Sequence, residues 1–349
     1  MNVLYLGPYR QADNWGVLSR SFLNSLISLE DLHVSCRPMF MGSSSIQSVD
    51  ADIIMSESKK KEEYDVLIQH TLPNYAVYDG KFSKNIIITS FETADCKTLV
   101  NNLRLLDTIL VQTEAEKNAA AEEIRNKVRA IGFSSEFKKN ILPKQNSDFL
   151  FYAFAGDLEE NTGIKQLLLS YMLAFHVNDN VSLIIQANNL DAINNLINET
   201  SQIVGIYNKP YYPKIHIIED ANNIHEQADC FIDCSKLFGM NENVAKALIN
   251  GRCPIVLKGS GKDEYVSDKS GFIVDSVEAR VLCRNKPMPD MFQSTEKCVE
   301  ADIDSLISAM TSAYRDKIGY MNKSYEGEAS SDLMSQENQA KILKEIICS

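Results

Sequence analysis

The sequence predicts two consecutive α/β domains, each a parallel sheet wound with helices. Three observations point there. Short β-rich runs alternate with longer helical patterns over most of the chain. Those runs are apolar throughout, as strands are when helices cover both faces of a parallel sheet. A polar, proline-containing stretch at 132–148 interrupts the alternation, and 349 residues exceed the usual size of one core.

The elements follow in order. "VLYL" (3–6) leads through a Gly-Pro loop into a helix beginning near Gly16, with Leu18, Phe22 and Leu26 at helical spacing. Strands are expected at 33–38, 64–70, 85–90, 107–112 and 127–131. Alanine-rich "TEAEKNAAAEEIRN" (113–126) predicts a single helix. Beyond the interruption come a strand at 149–156, a helix near 162–176, a strand at 181–187, a helix near 190–204 and a strand at 214–218. A short helix, the strand "CFIDC" (230–234) and a helix within "SKLFGMNENVAKALINGRCPIV" (235–256) continue the series. Strands at 253–258 and 271–274 and helices at 302–317 and about 331–347 complete it. Open sheets of this kind take ligands outside the carboxyl ends of their strands, so a cleft between the domains is the expected site.

Composition narrows the partners. Lys and Arg total 35 against 47 Asp and Glu, a net charge of -12. That balance weighs against broad binding to nucleic acid, which needs many phosphate-neutralising cations, and leaves room only for a small basic cleft. Of eight cysteines only Cys230 and Cys234 are close, and residues four apart in a strand share a face, so free thiols in a reducing compartment are expected and no zinc site. No run approaches about 18 apolar residues, so no membrane span is expected. The opening apolar run is short and lacks a basic leader, which places the protein in the cytoplasm, its own cell's or a host's.

Several residues stand where chemistry is done. Gly16 permits close backbone approach at a helix N-terminus, and Arg20 lies one turn further in, or sits on the surface of an amphipathic helix. "SFETAD" (90–95) puts Glu92 at the carboxyl end of a strand, as a proton acceptor, a partner for a hydroxyl-rich substrate, or a helix cap. Of five histidines, only His70 ends a strand and is well placed for a site. There is no G-x-G-x-x-G, and "GSGKD" (259–263) is not a phosphate-cradling P-loop, since Val256 and Asp263 stand where glycine and Ser/Thr are required. Lys246 lies about one turn inside the helix of the 235–256 stretch, four residues after Glu242, either as an anion ligand or as one half of an ion pair worth about 0.3–0.5 kcal/mol.

The order of these pieces resembles the nucleotide-sugar glycosyltransferases of GT-B architecture, in particular glycosyltransferase family 4. "DNWG…SR" (13–20) is similar to the family's first loop and helix, and "GDLEENTGIKQLLLSY" (156–171) to the strand-loop-helix opening the second domain. "ADCFIDCS" (228–235), "ALINGRCPIV" (247–256), "GSGKDEYV" (259–266) and "SGFIV" (270–274) correspond to later blocks. "YDVLIQHTLPNYAVYDGKFSKNI" (64–86) and "VEADIDSLISAMTSAY" (299–314) look like a subset often encoded by tailed phages.

The resemblance implies two Rossmann-like domains, an acceptor-side one at 1–140 and a donor-side one at 141–325, with a terminal helix at 326–349 returning to the first. It implies a retaining, metal-independent transfer that uses a nucleotide-diphosphate sugar as co-substrate and no further cofactor. The acceptor is a glycan, a protein or a modified DNA base. Glu92 is implied as catalytic. Gly16, Arg20, Gly156, Lys165, Met240, Asn241 and Lys246 are implied around the donor, and Asp13, Trp15 and His70 around the acceptor.

The chain also departs from the family. Where an Arg-Lys pair usually grips the diphosphate stand Asn161 and Thr162, and where two glutamates with seven residues between them hold sugar and ribose stand Phe238 and Lys246. Two expectations follow. Either the cation has moved to Lys246, Lys165, Lys236 or Arg20, or the fold has been kept as a catalytically silent protein for binding or assembly.

Overall fold

A computed structural model describes residues 1–42, 45–96, 100–135, 137, 139, 148–156, 161–207, 211–239, 241–281, 296–330 and 334–348. The predicted border at 140/141 and the site residue Met240 lie outside the described residues.

The first sheet is built from β1 (Asn2–Gly7), α1 (Asn14–Ile27), β2 (His33–Pro38), α2 (Ala51–Ser58), β3 (Val66–His70) and β4 (Lys84–Ile88). It continues with α3 (Val100–Leu103), β5 (Thr108–Val111), α4 (Glu114–Ala119), α5 (Glu122–Arg125) and β6 (Val128–Ala130). The strands lie in the order β2-β1-β3-β4-β5-β6, all parallel. Every residue of β3 is buried, the apolar Val66–Ile68 together with the polar Gln69 and His70, as expected when both faces are covered.

The second sheet takes β7 (Phe149–Gly156), α6 (Ile164–Ala174), β8 (Val181–Ala187), α7 (Leu190–Ile206), β9 (Lys214–Ile218), α8 (Ile224–Gln227) and β10 (Cys230–Asp233). Then come α9 (Glu242–Ile249), β11 (Ile255–Leu257) and β12 (Phe272–Val274). Its order, β12-β11-β10-β7-β8-β9, puts the topological switch point between β7 and β10. An antiparallel hairpin of β13 (Ser276–Arg280) and β14 (Lys297–Ala301) precedes α10 (Ile303–Arg315), α11 (Lys317–Ser330) and α12 (Gln336–Cys348). The two parallel six-stranded sheets with their helices form the GT-B architecture that the sequence predicts.

Each sheet carries apolar clusters from its two faces. Phe151, Leu167, Tyr171, Leu183 and Leu306 pack on one side of the second sheet, and Tyr152, Phe231, Val244 and Leu248 on the other. Phe22, Leu26 and Ile68 form one cluster of the first sheet, which Leu343 and Ile347 of α12 enter from the far end of the chain. Burying each of those two side chains stabilises by roughly 1.5–3 kcal/mol.

One element differs from its sequence pattern. The helix predicted over 113–126 breaks into α4 and α5, because Ala120 leaves the helix to form a parallel bridge with Cys96, whose N–H donates to Ala119 O at 3.0 Å. The pairing overrides the helical preference of a run of alanines. Helices α2 and α11 and the β13-β14 hairpin have no counterpart in the predicted elements.

Candidate active site

The loops that leave the carboxyl ends of β1, β4, β5, β10 and β11 converge on one cavity of about 210 Å³ between the two sheets. Asn14, Trp15 and Leu18 come from the start of α1, Ser90 and Glu92 from the loop after β4, and Gln112 from the end of β5. The second sheet contributes Ser235, Leu237, Phe238, Gly239, Asn241, Glu242 and Lys262.

The first helix starts at an Asp13 cap, whose Oδ1 accepts from Gly16 N at 2.9 Å. The Gly16 amide is thereby engaged within its own chain. The reason for glycine is different: a Cβ there would lie 1.9 Å from Gln11 O, so the 9–11 loop folds directly onto the helix. Arg20 stabilises that same loop. It is 7% exposed, and its Nη1 donates to Tyr9 O at 2.9 Å and Gln11 O at 2.8 Å. It is neither on the surface nor lining the cavity.

His70 is buried behind Trp15, their rings 5.7 Å apart, and its Nδ1 is 2.8 Å from Tyr5 OH. Burial pushes its pKa down to about 3. Trp15, which lines the cavity, is therefore the surface presented there and His70 is its support.

Glu92 lines the cavity in a left-handed conformation, φ 56°. A side chain in that region costs about 1–3 kcal/mol and persists only where its surroundings hold it. Its carbonyl accepts from Phe238 N at 2.9 Å, a main-chain bond between the two sheet units.

Across the cavity, Asn241 caps α9 through Asn243 N at 2.9 Å, and its Nδ2 donates to Asp233 Oδ2 at 2.7 Å. Glu242 begins that helix with a side chain 2% exposed. Its Oε1 pairs with Lys246, and its Oε2 is buried with no hydrogen-bond partner among the described residues. Lys246 also lies over the Phe137 ring, 4.0 Å from the centroid, and does not line the cavity.

The other candidate cations are also displaced. Lys165 is exposed on α6, and Lys236 is paired with Glu300. Lys262 takes their place. It is 3% exposed, lines the cavity, and donates through Nζ to Leu237 O at 2.7 Å, with no carboxylate partner among the described residues. The "GSGKD" stretch builds this arrangement: Asp263 accepts from Gly259 N at 2.7 Å and Gly261 N at 3.1 Å, closing the turn that carries Lys262. The turn is thus not a P-loop, yet it delivers its lysine to the cleft.

The structure brings Trp15, Glu92 and Asn241 of the predicted set to one cavity, and leaves Asp13, Gly16, Arg20, Gly156, Lys165, His70 and Lys246 outside its lining. Sequence reasoning missed several lining residues, among them Ser90, Gln112, Glu242 and Lys262; for Lys262 a signal was present. The findable signal was a Gly-Ser-Gly turn directly after a strand end.

The two sheets, with one cavity at their facing carboxyl ends, define a GT-B fold. Solved structures of that fold superpose over the whole chain. The lipopolysaccharide outer core galactosyltransferase WaaB is 12% identical with a TM-score of 0.66, covering 100% of this chain and 99% of its own. Anabaena HepE in complex with UDP and glucose is 12% identical with a TM-score of 0.62 and the same coverage. Sucrose-phosphate synthase from Thermosynechococcus elongatus is 11% identical with a TM-score of 0.64, covering 100% and 98%. No protein-family model matches the sequence, and no curated protein sequence does.

Proposed function

We propose that the chain is a glycosyltransferase of the family-4 kind, phage type included, moving a sugar from a nucleotide-diphosphate sugar to an acceptor. Retention of anomeric configuration, no metal in a catalytic role and a cytoplasmic setting belong to the same reading. The donor is assigned to the unit from 141 to 325 and the acceptor, a glycan, protein or modified base, to residues 1–140, with 326–349 as a returning helix.

The observation that carries the reading is Glu242. A buried carboxylate oxygen without a donor is costly, on the order of 1–3 kcal/mol or more, and sugar or ribose hydroxyls would supply the missing hydrogen. Lys262, which lines the same cavity, offers a nearly buried positive charge for a diphosphate, and the N-termini of α1 and α9 add their partial charge. Glu92 lines the same cavity from the other sheet, and in this reading it acts on the acceptor or the departing group. Trp15 gives a sugar a flat apolar face. Support from known proteins is the UDP and glucose bound to HepE, on the same fold.

A second reading, a silent protein of this fold, has one specific observation behind it. Asn161 and Thr162 replace the usual cations, and Lys246 is held by Glu242. Calorimetry with uridine, guanosine and adenosine diphosphates separates the two, followed by hydrolysis of the matching nucleotide sugar. Absence of binding to all three at millimolar concentration sinks glycosyl transfer and leaves the silent protein.

A further inference from the structure

Glu116 is fully buried on α4 and does not line the cavity, yet it touches the back of the cavity wall. Its Oε1 accepts from Ser90 Oγ at 2.5 Å and Phe91 N at 3.3 Å, and its Oε2 from Gln112 N at 3.1 Å and Thr113 Oγ1 at 3.2 Å. Each carboxylate oxygen therefore faces one main-chain N–H that can only donate. Thr113 Oγ1 accepts from Glu116 N at 3.1 Å, so local helix capping accounts for part of this arrangement. It does not account for Ser90 and Phe91, which lie 25 and more residues away, on the loop that holds Glu92.

That loop is held from the front as well. Phe238 N donates to Glu92 O at 2.9 Å, and Ala94 N donates to Lys297 O at 2.8 Å. Gly239, φ 103°, packs so closely that a Cβ would lie 3.2 Å from Ser90 Oγ and 3.3 Å from Glu116 Oε1. The Glu116 carboxylate is thus the hinge of a sandwich between loop 90–92 and segment 238–239.

We infer that Glu116 is the positioning residue of the cleft: its carboxylate fixes the Ser90–Glu92 loop, holds Glu92 in its left-handed conformation, and through Glu92 O registers the second sheet unit against the first. With the Ser90 proton directed to Glu116, the remaining Ser90 lone pairs are acceptors toward the cavity. The kinetic part of this inference rests on the glycosyl-transfer reading; the structural part does not.

The test is amide hydrogen exchange on the full chain and its Glu116→Gln variant, in which an NH2 group must meet one of the two N–H donors. Exchange is expected to rise about tenfold at 90–92 and, across the cleft, at 238–239, while strands β7 and β8 keep their protection. A residue that only caps its helix would loosen 114–119 alone, and that pattern overturns the inference. If Glu116→Gln fails to fold, Ser90→Ala, which removes one of the four donors, decides on the same segments. Where the wild type turns over a nucleotide sugar, Glu116→Gln is expected to lower kcat with KM within about twofold. A wild type that binds no nucleotide ends the glycosyl-transfer reading, while the exchange pattern still decides the role of Glu116.

Discussion

Glu242 and Lys246 are joined as an ion pair on successive turns of α9, the glutamate 2% exposed and the lysine 24%. The lysine lies over Phe137 and does not line the cavity, so its charge balances Glu242 Oε1, while Oε2 stays buried with no hydrogen-bond partner among the described residues.

Lys246→Ala is therefore expected to act on stability before binding. Removing the cation leaves a buried carboxylate unpaired, costing about 1–3 kcal/mol in denaturant unfolding, with nucleotide affinity within about twofold of wild type. A selective loss of affinity at unchanged stability would return the lysine to the phosphates.

Lys262 carries the opposite expectation. Lys262→Met should lower affinity for a nucleoside diphosphate by about tenfold or more, the loss of a charge-assisted hydrogen bond. Lys165→Met, on the exposed face of α6, should not change it. Equal affinities for both variants in calorimetry would remove Lys262 from the donor grip.

Under the glycosyl-transfer proposal, Glu92→Gln should leave donor binding within about threefold while depressing transfer by about a hundredfold, since the residue lines the cavity and is assigned there to the chemical step. Parallel loss of binding and turnover would make Glu92 a structural feature of its loop.

Glu264 links the two sheet units from outside the cleft, its oxygens accepting from Glu114 N at 2.8 Å and Ala115 N at 2.6 Å at the start of α4. Glu264→Ala should cost about 0.5–1 kcal/mol, as loss of an exposed cap does, and should raise amide exchange at 114–116. Unchanged exchange there would mean the contact is not formed in solution.

Acid should destabilise the protein in a window set by two histidines. Burial pushes His70 and His225 down to about 3, against an unfolded value near 6.5. Between those values the unfolded chain binds more protons, so stability is full above about pH 6.5 and falls as pH drops toward 3. Each histidine contributes a slope approaching about 1.4 kcal/mol per pH unit. Urea unfolding at pH 7.5 and 5.5 should show the decline, and His225→Gln should reduce it. A flat profile over that range contradicts the burial of both rings.

The strands and most helices were legible in the sequence because their periodicity records burial on one or both faces, as β3 and α1 show. The helix at 113–126 was misread because its break depends on Cys96, some twenty residues earlier, and no local pattern encodes that pairing. The site was legible in outline only. Glu92 could be placed from its strand end, and Trp15 and Asn241 from the family resemblance; all three line the cavity. Lys246 and Arg20 could not, because helical spacing does not say whether a cation meets a ligand, a carboxylate or a carbonyl.

By itself the sequence determined two wound parallel sheets and the edge of each at which loops gather, since alternation of apolar runs and helix caps is local information. Tertiary structure alone decided which charges share the cleft: Lys262 enters and Lys246 is held outside, while Glu116 supports the wall from a helix outside the cavity lining. Those outcomes depend on distances between residues far apart in the chain, and charge interactions are settled by distance and burial rather than by order.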